Sequence, residues 1–243
     1  MKTAIFTFLL IALLTGCSHK PVTVAVPEAP APTGEQQPST ESANTKPQDN
    51  APVSALPPNA RPLWSETGIA SWYGAPYHNR RASNGEVYDM HAMTAAHRTL
   101  PLGSVVRITD LKTGSSAVVR ITDRGPFIEG RIIDLSRSAA ERIGIIQRGT
   151  AEVRLDVMQT PTSTATAGRW AVQIGAFERE KAARELAKHL SRKYQTANVL
   201  TFNGPVGDWW VRIRVKGDLR ARAEEVLHDT KTSEGSIFLV RLD

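Results

Sequence analysis

The chain has 243 residues, a formal net charge of +6 and one cysteine. A single cysteine excludes a fold held by internal disulfide bonds, so any folded domain depends on an ordinary hydrophobic core. The basic residues are dispersed along the chain, which is typical of a solvated surface and disfavours nucleic acid as a partner.

The first residues predict an export signal. Lys2 gives a short positive segment, and residues 5–14 form an apolar run that is too short to span a bilayer. The run leads into LTGC, which ends at Cys17 and resembles a bacterial lipobox. The resemblance implies a signal peptide over residues 1–16, acyl chains on Cys17 and, with Ser18 next, an outer-membrane lipoprotein. A plain secretory signal with an incidental cysteine is the alternative.

Residues 17–65 predict a tether. Ten of the fifteen prolines lie between Pro21 and Pro62, among small and polar residues. This composition cannot bury enough apolar surface to offset the entropy of ordering, so the segment is predicted to be disordered. Its extended reach, on the order of 100 Å, would let a domain work away from the membrane.

Residues 66–159 predict a compact domain that is mainly β. Turn signals separate short alternating strands, and one helix is predicted over Ser138–Ile143, between a serine cap (Ser136 or Ser138) and Gly144. The predicted strands are Ile69–Tyr73, Val105–Thr109, Ala117–Ile121, Ile132–Leu135 and Val153–Val157. Several short strands in a compact segment indicate a barrel or a sandwich.

A second linker is predicted at residues 160–168, and residues 169–243 then predict an α+β domain of order βαββαβ. Its predicted elements are a strand from Trp170, a helix at 179–194, strands at 197–202 and 209–215, a helix capped by Asp218 and a strand at 237–242. This order gives a four-stranded sheet with two helices on one face and the other face open.

Alternation assigns side chains to the two faces of this sheet. If Trp170, Val172, Ile174 and Ala176 face the helices, the open face carries Gln173, Phe177, Trp210, Arg212 and Arg214. Amide, guanidinium and aromatic groups on one face suit a polar polymer with rings to stack. An RNA-recognition domain has the same topology, but its RNP1 signature is absent. An ordinary solvated sheet face is the other alternative.

The stretch VVRITDRGPF (residues 118–127) places a carboxylate where a strand gives way to a turn. The strand alternates apolar and polar residues, and a Gly-Pro pair ends it just after Asp123. Such an aspartate is either a structural partner of Arg124 or Arg131, or the working acid of a cleft.

No metal site and no cofactor is predicted. The residues that could have served as ligands are His78, His91, His97 and Asp89. They lack the i,i+4 spacing of ligands on a helix, and no cysteine accompanies them.

Three stretches resemble the rare lipoprotein A family of double-psi β-barrel proteins. They are GIASWYG (68–74), SNGEVYDMHAMTAAHRTLPLG (83–103) and DRGPFIEGRIIDLS (123–136). The resemblance covers residues 68–157 and departs from the family pattern at Asn79, Ala82, Ser83 and Thr122. It implies a lytic transglycosylase, which cleaves the β-1,4 bond between N-acetylmuramic acid and N-acetylglucosamine without water and leaves a 1,6-anhydro ring.

The motif positions imply three catalytic residues. Asp123 is expected to act as general acid and then as base, because one carboxyl group can do both in turn. Glu86, on a loop tip after Asn-Gly, is expected to raise the pKa of Asp123 or to steady positive charge on the sugar. His97 is expected to orient a carboxylate or bind a sugar hydroxyl, and Asp134 is interpreted as a capping or turn carboxylate. The aromatic residues expected to line a sugar groove are Trp72, Tyr73 and Tyr77.

The stretches RWAVQIGAFEREKAARELAKHL (169–190) and DWWVRIRV (208–215) resemble a SPOR domain. That family binds septal peptidoglycan strands stripped of stem peptides. Together these resemblances imply an outer-membrane lipoprotein that faces the periplasm and cleaves glycan strands. The protein is expected to be enriched at the division septum and to meet cell-division proteins there. A non-catalytic, expansin-like wall-binding protein is the main alternative, and a hydrolase with two carboxylates is a third.

Overall fold

The computed structural model describes residues 60–162, 168–204 and 207–243. The predicted signal peptide, Cys17 and most of the predicted tether lie outside the described residues. Within those ranges, no helix is both long enough and apolar enough to cross a bilayer.

Six strands of the first domain close into a barrel. They are β1 (Trp64–Trp72), β2 (Thr94–His97), β3 (Val105–Asp110), β4 (Ser116–Asp123), β5 (Arg131–Leu135) and β6 (Ala151–Gln159). Their order around the barrel is β1-β5-β2-β4-β3-β6, and β1 closes on β6. The β1–β5 and β2–β4 pairs are parallel, whereas the other pairs are antiparallel. The predicted double-psi β-barrel is confirmed.

Alternation along the strands fills the barrel with aliphatic side chains. Val106 and Ile108 of β3 and Ile121 of β4 are fully buried, as the apolar positions of alternating strands should be. The helix α1 (Arg137–Ile143) begins after Ser136, whose Oγ accepts a hydrogen bond from a helix N–H, and it ends at a left-handed glycine. The predicted helix is therefore confirmed, with Ser136 as its cap.

Two strands differ from their prediction. β2 was not predicted, because its sequence TAAH is buried at every position and shows no alternation. β1 begins at Trp64, earlier than the predicted strand start at Ile69. The added residues pair with β6, since Trp64 lies opposite Val157.

The second domain has the predicted βαββαβ order. Its elements are β7 (Trp170–Phe177), α2 (Glu180–Lys193), β8 (Asn198–Asn203), β9 (Trp209–Arg214), α3 (Arg220–Asp229) and β10 (Ser236–Arg241). The strands form an antiparallel sheet in the order β10-β7-β9-β8. Both helices pack on one face, around a core that includes Trp170, Val172 and Ile174.

The prediction that Phe177 lies on the open face is wrong. The pairing of β7 with β9 shifts between Ile174 and Phe177, so one extra residue interrupts the alternation. Gly175 sits at this bulge with φ +149°, and a Cβ there would lie 2.7 Å from the Trp210 ring. As a result Phe177 is 2% exposed in the helix-side core, and Ala176 takes the opposite face.

Asp218 does not cap a helix as predicted. It lies in a short 3-10 turn before α3, and the α3 cap position is Leu219, which offers no side-chain hydrogen bond. Its carboxylate instead accepts from Arg214 Nη2 at 2.6 Å and from Arg169 Nε at 3.0 Å. Arg214 is therefore held in an ion pair beside the sheet.

The sheet face opposite the helices is not open, because the barrel covers much of it. Phe127 of the barrel packs against Trp210 and Phe238, with ring centroids 5.2 and 5.8 Å apart. The Arg98 guanidinium lies 5.3 Å from the Phe238 ring centroid. Gln173 and Trp210 are only 2% and 7% exposed. Aromatic groups that would form an apolar surface patch are thus buried between the domains.

Candidate active site

A cleft of about 440 Å³ lies where the barrel meets the sheet. Its volume falls within the range of about 300–1,000 Å³ that is common for ligand sites. Side chains of both domains line it. From the barrel they include Tyr73, Tyr77, Asp123 and Asp134, and from the second domain Phe202, Trp210 and Arg212.

Asp123 ends β4 on the barrel wall of this cleft. Its Oδ1 accepts hydrogen bonds from Ser83 N at 2.9 Å, from Ser83 Oγ at 2.5 Å and from Arg124 N at 2.8 Å. Within the described residues, Oδ2 receives no hydrogen bond. Three donors therefore fix one oxygen and leave the other available to a ligand.

Within the described residues, Asp123 forms no ion pair with Arg124 or Arg131, which was the structural alternative for this carboxylate. Arg124 points away and donates to four main-chain oxygens. They belong to His97 (3.0 Å), Leu100 (2.8 Å), Arg241 (2.5 Å) and Asp243 (2.5 Å). Burial, and then the nearby charge of Arg241, lower the pKa of Arg124 to about 10. It is still a cation at neutral pH, and it joins the barrel to the last strand of the sheet.

Asp134 is the second carboxyl on the cleft, and its interpretation as a capping or turn carboxylate is wrong. It lies within β5, while Ser136 caps α1. Its Oδ1 accepts a hydrogen bond from Ser71 Oγ, and Arg131 Nη1 lies 3.8 Å away. Burial raises the pKa of the Asp134 carboxyl, and this outweighs the lowering by Ser71 and by the nearby guanidinium groups.

Glu86 is exposed on its loop, as predicted, but it does not line the cleft with Asp123. Its carboxylate is paired with the Arg120 guanidinium by two hydrogen bonds, of 3.0 and 2.8 Å. These hydrogen bonds hold the pKa of Glu86 below its usual value. The same loop carries Ser83, and Asn84 N donates to Thr122 O of β4 at 3.1 Å. Glu86 thus anchors the loop whose serine orients Asp123.

His97 lies behind the cleft wall and is 5% exposed. Its Nδ1 accepts from Leu100 N at 3.0 Å and Thr99 N at 3.2 Å, so the ring proton is assigned to Nε2, which faces Glu66 Oε1 at 3.1 Å. Burial lowers the pKa of His97 and favours the neutral ring. His97 therefore orients a carboxylate outside the cleft and has no access to a sugar hydroxyl.

Two of the three predicted groove aromatics reach the cleft. Tyr73 and Tyr77 line it and meet edge to face at 5.7 Å, and Tyr88 stacks on Tyr73 at 4.4 Å. Trp72 packs instead against the barrel core, so its predicted place in the groove is wrong. Burial raises the pKa of Tyr73 well above its usual value, and the hydroxyls of Tyr73 and Thr94 both lack a hydrogen-bond partner in the described chain.

Sequence reasoning missed three contributors to the site. Ser83 gave no signal beyond a turn, because its bond to Asp123 joins residues 40 apart. Asp134 was visible as a carboxylate, but its burial depends on the closed barrel. Phe202 could have been found by strand pairing, since it lies opposite Trp210.

No group of three or more histidine, cysteine or acidic side chains suited to a metal occurs within the described ranges. His78 and His91 meet edge to face at 5.8 Å. His78 Nδ1 accepts from Met90 N at 3.3 Å.

Both domains match known protein families. Residues 65–155 match the family model described as lytic transglycolase, and residues 166–229 match the SPOR domain. The chain is 46% identical over 136 residues to the endolytic peptidoglycan transglycosylase RlpA of Vibrio cholerae. The aligned region covers 53% of this chain and 52% of that protein. It is 51% identical over 100 residues to RlpA of Neisseria meningitidis, covering 41% and 42%. The chain thus spans about half the length of the curated relatives it matches.

Similar solved structures include a papain inhibitor of Streptomyces, with 19% identity and a TM-score of 0.34 over 40% of this chain and 97% of that one. An expansin of Clavibacter michiganensis solved with cellohexaose has 14% identity and a TM-score of 0.33, over 63% and 80%. Neither likeness is close enough to carry an argument about function.

Proposed function

We propose that the chain is a lytic transglycosylase of peptidoglycan glycan strands, because residues 65–155 match the lytic transglycolase model, residues 166–229 match the SPOR domain, and the relative from Vibrio cholerae is an endolytic peptidoglycan transglycosylase. The observation that carries this proposal is the pair of carboxyls on one cleft. Burial raises the pKa of Asp134, and Asp123 is oriented by three donors with one oxygen free.

In the proposed reaction, Asp134 donates its proton to the glycosidic oxygen while the bond from that oxygen to the muramyl C1 breaks. The electron pair of the broken bond stays on the leaving oxygen. The muramyl C6 hydroxyl oxygen then bonds to C1, and its proton passes to Asp134, which is restored. No water is consumed, and the product carries a 1,6-anhydro ring. Proton donation and return by one carboxyl is the acid–base relay that this outcome requires.

Asp123 supplies the negative charge beside C1. Glycosidic cleavage passes through a state with oxocarbenium character, and a fixed carboxylate oxygen stabilises it without having to reorganise. Sequence reasoning gave the acid and base role to Asp123. We assign the proton to Asp134 instead, because a raised pKa is what an acid needs at neutral pH.

Glu86 and His97 act as positioning residues in this proposal. Glu86 binds Arg120 and thereby holds the loop that bears Ser83, the donor to Asp123. His97 receives the N–H groups of its own turn, and its carbonyl accepts from Arg124, the neighbour of Asp123. Glu86 therefore acts on Asp123 through its side chain and the Ser83 loop, whereas His97 acts through its main-chain carbonyl and Arg124.

We further propose that Cys17 carries the lipid that anchors the chain in the outer membrane, facing the periplasm. The lipobox-like sequence supports this anchor. The SPOR match supports recruitment to septal strands without stem peptides, where cell-division proteins would be neighbours. Loss of labelled palmitate in Cys17→Ser and loss of septal fluorescence when residues 169–243 are deleted would support these assignments. Retention of both signals would refute them.

The first test uses the full chain in detergent with peptide-free glycan strands, and mass spectrometry of the products. We expect anhydro-muramyl ends from the wild type and a loss of at least about 100-fold in each variant, the scale of one acid–base group for Asp134→Asn and of one electrostatic stabiliser for Asp123→Asn. Glu152→Gln removes an exposed carboxyl elsewhere on the barrel and should leave the rate unchanged. Reducing ends would indicate a hydrolase. Bound but intact strands would indicate the wall-binding alternative.

A second substrate separates the roles of the two carboxyls. An aryl β-glycoside of N-acetylmuramic acid releases a phenolate that leaves without protonation. Asp134→Asn should therefore cost less on the aryl substrate than on glycan strands, because only the base step is lost. Asp123→Asn should cost the same on both. The opposite pattern would return the acid role to Asp123.

A further inference from the structure

The wall of the cleft opposite the two carboxyls is the sheet of the second domain. Phe202 of β8 lies opposite Trp210 of β9, and Arg212 of β9 lies opposite Gln173 of β7. All four side chains line the same cleft as Asp123. A molecule in contact with the catalytic carboxyls therefore also meets the SPOR domain.

Arg212 is the cation of this wall that is not ion-paired. Its Nη2 and Nε donate to Gln173 Oε1 at 2.6 and 3.2 Å, and its guanidinium lies 4.8 Å from the Phe202 ring centroid. Within the described residues, no carboxylate pairs with it and its Nη1 donates no hydrogen bond. In contrast, Arg214 on the same strand is paired with Asp218.

A partly buried guanidinium without a counter-ion suits an anionic ligand. Removing a charge from water costs free energy unless a partner compensates it, and burial lowers the pKa of Arg212. The planar guanidinium favours a carboxylate, to which it can donate two parallel hydrogen bonds. Asp208 also lines the cleft but forms no ion pair with Arg212 in the described residues: its Oδ2 accepts from the Trp210 indole N–H at 2.8 Å, and its Oδ1 has no hydrogen-bond partner there.

Peptidoglycan offers one carboxylate that changes with its state. Muramic acid bears a lactyl carboxyl, to which the stem peptide is attached through an amide. Removal of the peptide frees this group as an anion, whereas an attached peptide leaves a neutral amide and much added bulk. A cation in the catalytic cleft can therefore distinguish the two states of the strand.

We propose that the barrel and the SPOR domain form one composite cleft, in which Arg212 binds the free lactyl carboxylate of the strand that Asp123 and Asp134 cleave. This inference rests on the proposed function and deepens it. Selection for peptide-free strands then takes place at the point of reaction as well as during recruitment. Phe202, whose ring centroid lies 4.8 Å from the guanidinium, helps to hold Arg212 in place.

Packing between the domains supports a shared cleft. Phe127 follows the Gly-Pro turn after Asp123 and packs on Trp210 and Phe238. Arg124, next to Asp123, donates to the main-chain oxygens of Arg241, at the end of the last strand of the sheet, and of Asp243, just beyond it. The same short segment therefore carries a catalytic carboxylate and fixes the opposite wall.

The test compares short peptide-free strands with the same strands after their lactyl carboxyls have been converted to methylamides. The full chain in detergent is assayed for kcat and KM, and its equilibrium binding to both ligands is measured. The wild type should prefer the free carboxylates. Arg212→Gln should raise KM on them by about 10- to 100-fold, the scale of a charge-assisted hydrogen bond, and leave the methylamides unaffected. Arg192→Gln removes an exposed cation on α2 and serves as the matched control.

Several outcomes would overturn the composite cleft. One is equal use of both substrates by the wild type, and another is an equal loss on both in Arg212→Gln. A faster Arg212→Gln would mean that the sheet obstructs the cleft. An effect confined to long strands would mean that the SPOR domain only tethers the substrate. If neither the wild type nor any variant cleaves a strand, the proposed function fails. The binding measurement still decides whether Arg212 recognises the lactyl carboxylate.

Discussion

Replacing Ser71 by alanine tests whether Asp134 holds the proton that starts the reaction. Ser71 Oγ donates to Asp134 Oδ1 and accepts from Arg131 Nη1. Its hydrogen bond lowers the pKa of Asp134 and so opposes the effect of burial. A hydrogen bond to a charged group contributes about 1.5–3 kcal/mol, and about 1.4 kcal/mol is a tenfold change in an equilibrium constant. Ser71→Ala should therefore weaken the ionisation of Asp134 by about tenfold or more.

The direction of the effect on rate follows from the role of the acid. Asp134 must be protonated to act, so kcat/KM falls as the pH rises through its pKa. Ser71→Ala raises that pKa further and should move this fall to higher pH. Ser65→Ala is the matched control, because Ser65 Oγ donates to Asp156 at 2.6 Å elsewhere on the barrel. If the fall stays in place or moves to lower pH in Ser71→Ala while the chain remains folded, Asp134 is not the acid.

Three further predictions concern stability in urea. Phe177→Ala should lower the free energy of unfolding by about 3–5 kcal/mol because this ring is buried in the helix-side core, whereas Leu200→Ala, at an exposed position, should cost about 0.5 kcal/mol or less. Asp134→Asn should raise the free energy of unfolding at neutral pH, because ionisation of the partly buried acid destabilises the folded state. This gain in stability should vanish below about pH 3.9, and a gain that is independent of pH would contradict the prediction. The wild type should lose stability as the pH falls through about 6.5, because burial lowers the pKa of His97 and the unfolded chain therefore takes up the proton first. His97→Gln should make this loss smaller, and an unchanged dependence of the unfolding free energy on pH would contradict the prediction.

Local patterns predicted most of the fold. The strands with clear alternation, such as β3 and β4, and the helix between Ser136 and Gly144 were found because their signals lie within a few residues. β2 was missed because closure of the barrel buries both of its faces and removes the alternation. The prediction for Phe177 named the wrong face because a bulge at Gly175 adds one residue to the strand, and strict alternation of faces does not allow for an added residue.

The candidate site was less predictable than the fold. Motif resemblance located Asp123, but no short stretch shows that Ser83 would bind it or that Arg124 would turn away. The pKa of Asp134 is raised by burial, and no short stretch of sequence shows that burial. The covered sheet face could not be predicted either, because the contact of Phe127 with Trp210 joins two domains and local sequence patterns carry no information about such a contact.

The motif residues that do not reach the cleft still converge on one carboxylate. Glu86 acts through Arg120 and through the loop of Ser83, which approaches Asp123 Oδ1 from one side. The main-chain carbonyl of His97 accepts from the Arg124 guanidinium, and the main-chain N–H of Arg124 donates to the same oxygen at 2.8 Å. Both routes fix Oδ1 and leave Oδ2 to the ligand. A residue can therefore be needed for catalysis while buried or paired away from the substrate. Substitution of Glu86 or His97 alone would show this need without showing contact with the sugar.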